Sequence, residues 1–257
     1  MFNQEMAKRA SDNLRRVRDG KPLVHNITNY VVMNYTANAL LACGASPVMA
    51  HALEEVEEMV SLAGALVLNI GTLSSPWVKA MVKAGKRANL LGIPVILDPV
   101  GSGATRMRTN AAKRLLREVS IQAVRGNASE VLSLSPLVVG SFTRGVDSVH
   151  TVDEVGDAAA ALASQVGTVL AITGEVDLVT DGQRTYKVKN GHEMMGHVTG
   201  TGCTASAIIG AFLAVDAEPL RAAATALAYF GLAGEMAAVR SQGPGTFQVE
   251  LLDVLYN

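Results

Sequence analysis

Ile93-Pro94-Val95-Ile96-Leu97-Asp98-Pro99-Val100-Gly101-Ser102-Gly103 decides how the rest of the chain reads. Its apolar run shows no polar alternation, the mark of a strand buried on both faces and therefore of a parallel sheet covered by helices. Runs of the same kind recur at Pro22–His25, Ala65–Asn69, Gln122–Val124, Val166–Ile172, Leu178–Thr180 and Thr185–Val188. Between them lie helical patterns at Val31–Cys43, Leu53–Leu62, Pro76–Leu91, Asn110–Glu118, Val152–Ser164, Cys203–Val215 and Pro219–Val239. This alternation predicts a layered α/β fold with a mainly parallel sheet. Asp181-Gly182 between the last two runs signals a tight hairpin, so the sheet is expected to end in an antiparallel pair at its edge.

The 257 residues allow one large α/β domain or two small ones. No low-complexity linker or internal repeat divides them, and a single domain over residues 1–257 is expected. A net charge of −1 and few aromatic residues leave no footprint for nucleic acid. Lys113, Arg114 and Arg117 read as the wet face of a helix. Cys43 and Cys203 are the only cysteines and sit in small, apolar surroundings, which fits a reducing compartment. The first 20 residues are charged and mixed, without the apolar core of a secretion signal. No apolar run approaches the roughly 20 residues of a membrane span. A soluble cytoplasmic protein is expected.

In open parallel sheets ligands bind beyond the carboxyl ends of the strands, so the residues that follow each strand carry the functional reading. Asp98, backed by Gly101 and Gly103, suits a Mg²⁺–phosphate site, because magnesium takes one or two carboxylates plus water and phosphate. A helix N-cap is the plain alternative. Arg125-Gly126-Asn127-Ala128-Ser129-Glu130 offers a guanidinium for phosphate oxygens and a second carboxylate at Glu130. The same spacing fits a capping box with Asn127 as cap, and both readings can hold together. Thr173 after the fifth strand can donate to a phosphate or ribose, and the Asp177–Gly182 hairpin can cover a nucleotide. His25-Asn26-Ile27-Thr28-Asn29 reads as a polar ligand contact or as a helix-capping turn. Met49, after Gly44-Ala45-Ser46-Pro47-Val48, reads as a pocket wall or as core.

Val198-Thr199-Gly200-Thr201-Gly202-Cys203-Thr204-Ala205 runs directly into the apolar helix Ser206–Leu213. Glycines allow close backbone approach, and the first turn of a helix presents unpaired N–H groups at the positive end of its dipole. Together these suit an anion such as a phosphoryl group; a tight helix start without a ligand explains the glycines equally well. The run fits G-x-G-x-x-A, but no buried strand precedes it and the region from Leu220 to Thr225 offers no acid, so a dinucleotide site is not indicated. No G-K-[ST] is present, which excludes a P-loop.

The ordered set His25–Asn29, Gly44–Met49, Asn69–Leu73, Asp98–Thr105, Arg125–Glu130, Thr173–Gly182 and Val198–Cys203 resembles the hydroxyethylthiazole kinase family, with the match running from about Lys21 to Phe230. The resemblance implies a ribokinase-like three-layer α/β/α sandwich and phosphorylation of the primary alcohol of 4-methyl-5-(2-hydroxyethyl)thiazole with ATP and Mg²⁺, in thiamine salvage. It implies a homotrimer with active sites between subunits. Met49 and Gly200 would then contact the thiazole, Arg125 and Thr173 the ATP, and Asp98 and Glu130 would organise Mg²⁺ and the triphosphate. The backbone of Gly200, Thr201, Gly202 and Cys203 would form the anion hole, and Asn26 and Asn29 would reach a neighbouring subunit's pocket. Cys203 stands where the wider ribokinase-like group has an aspartate. A helix N-terminus favours thiolate, so Cys203 is expected to act as a modest base or a positioning group. A pyrimidine-alcohol kinase or an ADP-using repair dehydratase on the same fold, and a non-catalytic thiazole or nucleotide sensor, are the alternatives. The grouping of Asp98, Arg125, Glu130 and the glycine bend counts against the sensor.

Overall fold

The computed structural model describes residues 2–135 and 152–257. Eight strands form one sheet: β1 (Leu23–Ile27), β2 (Ser46–Val48), β3 (Ala65–Asn69), β4 (Val95–Asp98), β5 (Ala123–Asn127), β6 (Val169–Thr173), β7 (Asp177–Thr180) and β8 (Thr185–Val188). Their order is β2-β1-β3-β4-β5-β6-β7-β8. The pairs from β2 through β6 are parallel, and β7 and β8 are antiparallel. The Asp181-Gly182 turn closes that last pair, with Gly182 at φ 91°.

Helices cover both faces. One side carries α1 (Phe2–Gly20), α2 (Met33–Cys43), α8 (Thr201–Leu213), α9 (Pro219–Arg240) and α10 (Pro244–Tyr256). The other carries α3 (Val56–Ser61), α4 (Ser75–Leu91), α5 (Arg106–Glu118), the short α6 (Ala128–Leu132) and α7 (Val152–Val166). Strand side chains divide with period two. Val67 and Ile96 pack with the first set, whereas Leu66, Leu68, Val95 and Leu97 pack with the second. This is a three-layer α/β/α sandwich, the fold that the resemblance implies, and its layering and mainly parallel sheet are what the alternation of patterns predicts.

Several boundaries differ from the sequence reading. Val166 closes α7 instead of opening a strand, because Gly167 takes a left-handed φ of 65° and stops the helix. β2 is a three-residue edge strand containing Pro47, too short to show periodicity. The N-terminal stretch forms α1, pinned where Arg9 forks onto Asp216 at 2.8 and 2.6 Å. Contrary to expectation, α9 is long and apolar enough to cross a membrane by length and composition. It is a core helix whose Ala222, Ala226, Phe230, Ala233 and Ala237 are buried.

Two features place the site. The chain steps from β1 outward to β2, then back across β1 to β3, which makes a topological switch point between β1 and β3. On α8, Gly210 lets the helix lie close on the sheet, since an added Cβ would stand 2.9 Å from Val67 Cγ2. The first turn of α8 is thereby held beside the carboxyl ends of β1, β3 and β4.

Candidate active site

Asp98 ends β4 and is completely buried. Its Oδ2 accepts hydrogen bonds from Asn69 Nδ2 at 2.9 Å and Ser206 Oγ at 2.7 Å, while its buried Oδ1 has no partner. Asn69 ends β3, and its Oδ1 accepts from Asn29 Nδ2 and from the Gly71 amide, both at 2.9 Å. Asn29 Nδ2 also reaches Cys203 Sγ at 3.4 Å. A buried polar chain therefore runs from the first turn of α8 across the switch point to the β4 carboxylate and back to α8 one turn on. Burial pushes the Asp98 carboxyl up to about 6, Arg125, Ser206 and Asn69 hold it from rising further, and Glu130 adds to the rise.

Arg125 sits above that carboxylate. Its Nη1 lies 4.0 Å from Asp98 Oδ2, its Nη2 donates to Thr173 Oγ1 at 2.5 Å, and its buried Nε has no partner. Gly202 makes room for it, because a Cβ there would stand 2.5 Å from Arg125 Nη1. The bend before α8 depends on Gly200, the N-cap, at a left-handed φ of 92° with Val32 packed against it. No side chain caps this helix, and among the described residues the amides of Thr201, Gly202 and Cys203 have no backbone partner. Three unpaired N–H groups and a guanidinium thus converge beside a buried carboxylate.

Glu130 completes the frame. The capping box is present: Asn127 Oδ1 accepts from the Glu130 amide at 2.8 Å, and Glu130 Oε2 accepts from the Asn127 amide at 2.9 Å. Glu130 Oε1 also takes the Gly101 amide at 2.8 Å, which ties the loop after β4 to the end of β5. From α5, Arg108 donates to the carbonyls of Ile70, Gly71 and Val100 at 3.0, 2.7 and 2.7 Å, locking the loops after β3 and β4 together.

A cavity of about 480 Å³ opens beside the bend. Arg125, Thr173, Thr201 and Gly202 line it together with the turn before β7, the 190–193 loop and an apolar wall from Ala205, Leu227 and Phe230. Asp98, Glu130, Asn29 and Cys203 lie outside that lining. Met49 follows β2 directly and is half-buried, and Asn26 is buried within β1, donating to Val24 O at 2.9 Å. Neither borders the cavity.

Asn29 is buried and bonded to Asn69 of its own chain, and Asn26 is likewise interior. Cys203 is not poised as a thiolate. Burial, with the Asp98 charge adding to it, pushes its thiol up to about 11, against the smaller pull of Asn69, Asn29 and Arg125. The reading by strand ends also passed over Asn69 as a site residue, although it closes a buried strand as Asp98 does. It missed Ser206 and Arg108, whose roles depend on contacts far apart in sequence.

The class follows from this geometry: a ribokinase-like α/β protein with unpaired backbone amides at the start of a core helix. A ribokinase-like superfamily protein from Enterococcus faecalis shares the fold at a TM-score of 0.66 and 14% identity, over 91% of this chain and 86% of that one. The chain belongs to the hydroxyethylthiazole kinase family, whose model matches residues 14–257. It is 61% identical to the hydroxyethylthiazole kinase of Desulfotalea psychrophila over 96% of this chain and 90% of that protein. The structure of the hydroxyethylthiazole kinase protein from Pyrococcus horikoshii OT3 superposes at a TM-score of 0.88 with 49% identity, covering 97% of this chain and 93% of that one.

Proposed function

We propose that this chain transfers the terminal phosphoryl group of ATP to the primary alcohol of 4-methyl-5-(2-hydroxyethyl)thiazole, as a single-domain cytoplasmic enzyme of thiamine salvage. The observation that carries the reading is the convergence of Arg125 and the unpaired amides of Thr201 and Gly202 at one end of the cavity, with the unpaired amide of Cys203 next along the helix. Phosphoryl transfer passes through a loose transition state whose charge spreads over the equatorial oxygens, so catalysis rests on positioning and electrostatics. The N–H cluster meets that charge without reorganising. Arg125 grips the phosphate oxygens, and Thr173 fixes the plane of its guanidinium.

The residues present fit Mg²⁺. Asp98 Oδ1 is a buried acceptor without a donor, and each Glu130 oxygen holds one backbone amide and keeps a lone pair for a cation-bound water. Asp98 and Glu130 would hold the ion, which when bound neutralises phosphate charge. Met49, Gly200, Asn29 and the interior Asn26 mark the acceptor side of the bend. Cys203, a neutral thiol accepting from Asn29, positions the alcohol and takes no proton from it in the ground state. Tyr30 and Val31 stand exposed beside the Val32 that packs on Gly200. A neighbouring subunit seated there would close the acceptor side, in keeping with the homotrimer with active sites between subunits that the family resemblance implies.

The test is ADP release from Mg-ATP across a panel: the thiazole alcohol, a hydroxymethylpyrimidine, pyridoxal and a sugar. Stimulation by the thiazole alone is expected. Stimulation by the pyrimidine instead would move the chain to another small-alcohol kinase, and binding of the thiazole without turnover would make it a sensor.

A further inference from the structure

Asp177 opens β7 and borders the same cavity as Arg125, yet the reaction described above does not use it. It is half-buried. Its Oδ1 accepts the Gly174 amide at 3.0 Å, which folds the turn between β6 and β7. Its second oxygen accepts no hydrogen bond among the described residues, and the Arg125 charge acts on it without forming an ion pair. Removal from water pushes its carboxyl up to about 6, so it is ionised at neutral pH and still seeks donors. Glu175 and Glu193 also line the cavity, but both are exposed to solvent.

A carboxylate in a pocket for a polyanion must face the part of the ligand that donates hydrogen bonds, because phosphates repel it. On a nucleoside triphosphate the donors are the ribose hydroxyls and the amine of the base. The flat base suits the apolar wall of Leu227 and Phe230. The phosphates belong with Arg125, whose guanidinium is held by Thr173, four residues before Asp177. Asp177 borders the same cavity beyond the turn that Gly174 closes, and a single carboxylate accepts a vicinal diol well, as acidic residues do on the ribose of dinucleotides.

We propose that the free oxygen of Asp177 receives the ribose hydroxyls of the nucleotide and makes the enzyme select ribonucleotides over 2′-deoxyribonucleotides. The inference rests on the kinase reading, and the assay separates the two. The intact enzyme is supplied with Mg-ATP or Mg-2′-dATP at saturating thiazole alcohol, and kcat/KM is measured for each. A hydrogen bond from a neutral hydroxyl to a charged acceptor changes binding about 10- to 100-fold. ATP is thus expected to exceed 2′-dATP by about tenfold or more, mainly through KM. In Asp177→Ala the ATP value falls and the ratio collapses toward one; in Asp177→Asn, which retains an acceptor oxygen, it is intermediate. If Asp177 only shapes the turn through Gly174, both nucleotides lose equally and the ratio stays at its wild-type value, which overturns the proposal. A wild-type ratio near one overturns it without any variant. Absence of phosphorylation with either nucleotide would instead count against the kinase reading itself.

Discussion

Gly202→Ala separates the anion site from the stability of the fold. The new methyl would stand 2.5 Å from Arg125 Nη1 and 3.2 Å from Cζ and Nη2, so the guanidinium must retreat by about 0.9 Å to reach ordinary contact at 3.4 Å. The neighbour is the tip of a long side chain and not backbone, so the fold absorbs the change. Gly202 lies in α8 without a left-handed φ, where alanine is favoured over glycine by about 0.5–1 kcal/mol. The variant should melt at or above the parent temperature. Activity should move the other way, because a displaced Arg125 loses Thr173 and its aim at the phosphate. Losing one hydrogen bond to a charged group costs about 1.5–3 kcal/mol, hence about 10- to 100-fold in kcat/KM for ATP. A coupled ADP-release assay reads the loss and a thermal melt reads the stability. A variant with wild-type kcat/KM would refute the packing of guanidinium on helix that underlies the site, and an unfolded variant would refute the ledger for the helix.

Asp98→Asn should abolish nearly all turnover while leaving stability equal or higher, since ionising a buried carboxyl whose pKa rises from 3.8 to about 6 costs of order 2–3 kcal/mol at neutral pH; a variant that keeps full activity would remove Asp98 from the site. The native state holds that proton more tightly than the unfolded chain. The Asp98 contribution to stability is therefore largest below about pH 4 and declines as pH rises through 6, whereas kcat/KM should climb through the same range if the ionised form is needed; paired pH series of melting and turnover check both signs. Cys203→Ser should cost less than about tenfold in kcat, and iodoacetamide at pH 7.5 should alkylate Cys203 far more slowly than a free thiol, because its pKa is pushed to about 11; rapid labelling would contradict that. Arg108→Ala should lower the melting temperature by several degrees, about 1–3 kcal/mol, through the freed carbonyls of Ile70, Gly71 and Val100, and should lower kcat as the loops bearing Asn69 and Asp98 loosen.

The fold was legible wherever packing imposes a period. Ala65–Asn69 and Thr185–Val188 coincide with β3 and β8 because buried runs and the Asp-Gly turn leave little choice. The helix α10 carried a signal that was passed over: Phe247, Leu251, Val254 and Leu255 repeat at helical spacing behind Pro244, and all four are buried. No such signal marks β2, whose existence depends on pairing with β1. Within the site, residues standing at strand ends were readable one by one. The bonds between them were not, since Asn29, Asn69, Asp98 and Ser206 meet only after the sheet assembles. The thiol of Cys203 shows the same limit. A helix start argues for thiolate, but burial beside Asp98 outweighs it, and burial is a property of the whole fold.

The central claim is that the backbone amides at the start of α8 receive the migrating phosphoryl group. A crystal structure with ADP, the thiazole alcohol, Mg²⁺ and a planar metal fluoride tests it most directly. The account predicts fluorine atoms within about 3 Å of the Gly202 and Cys203 amides, with Arg125 on the same group. A fluoride group bound elsewhere in the cavity, with those amides facing only water, would contradict it.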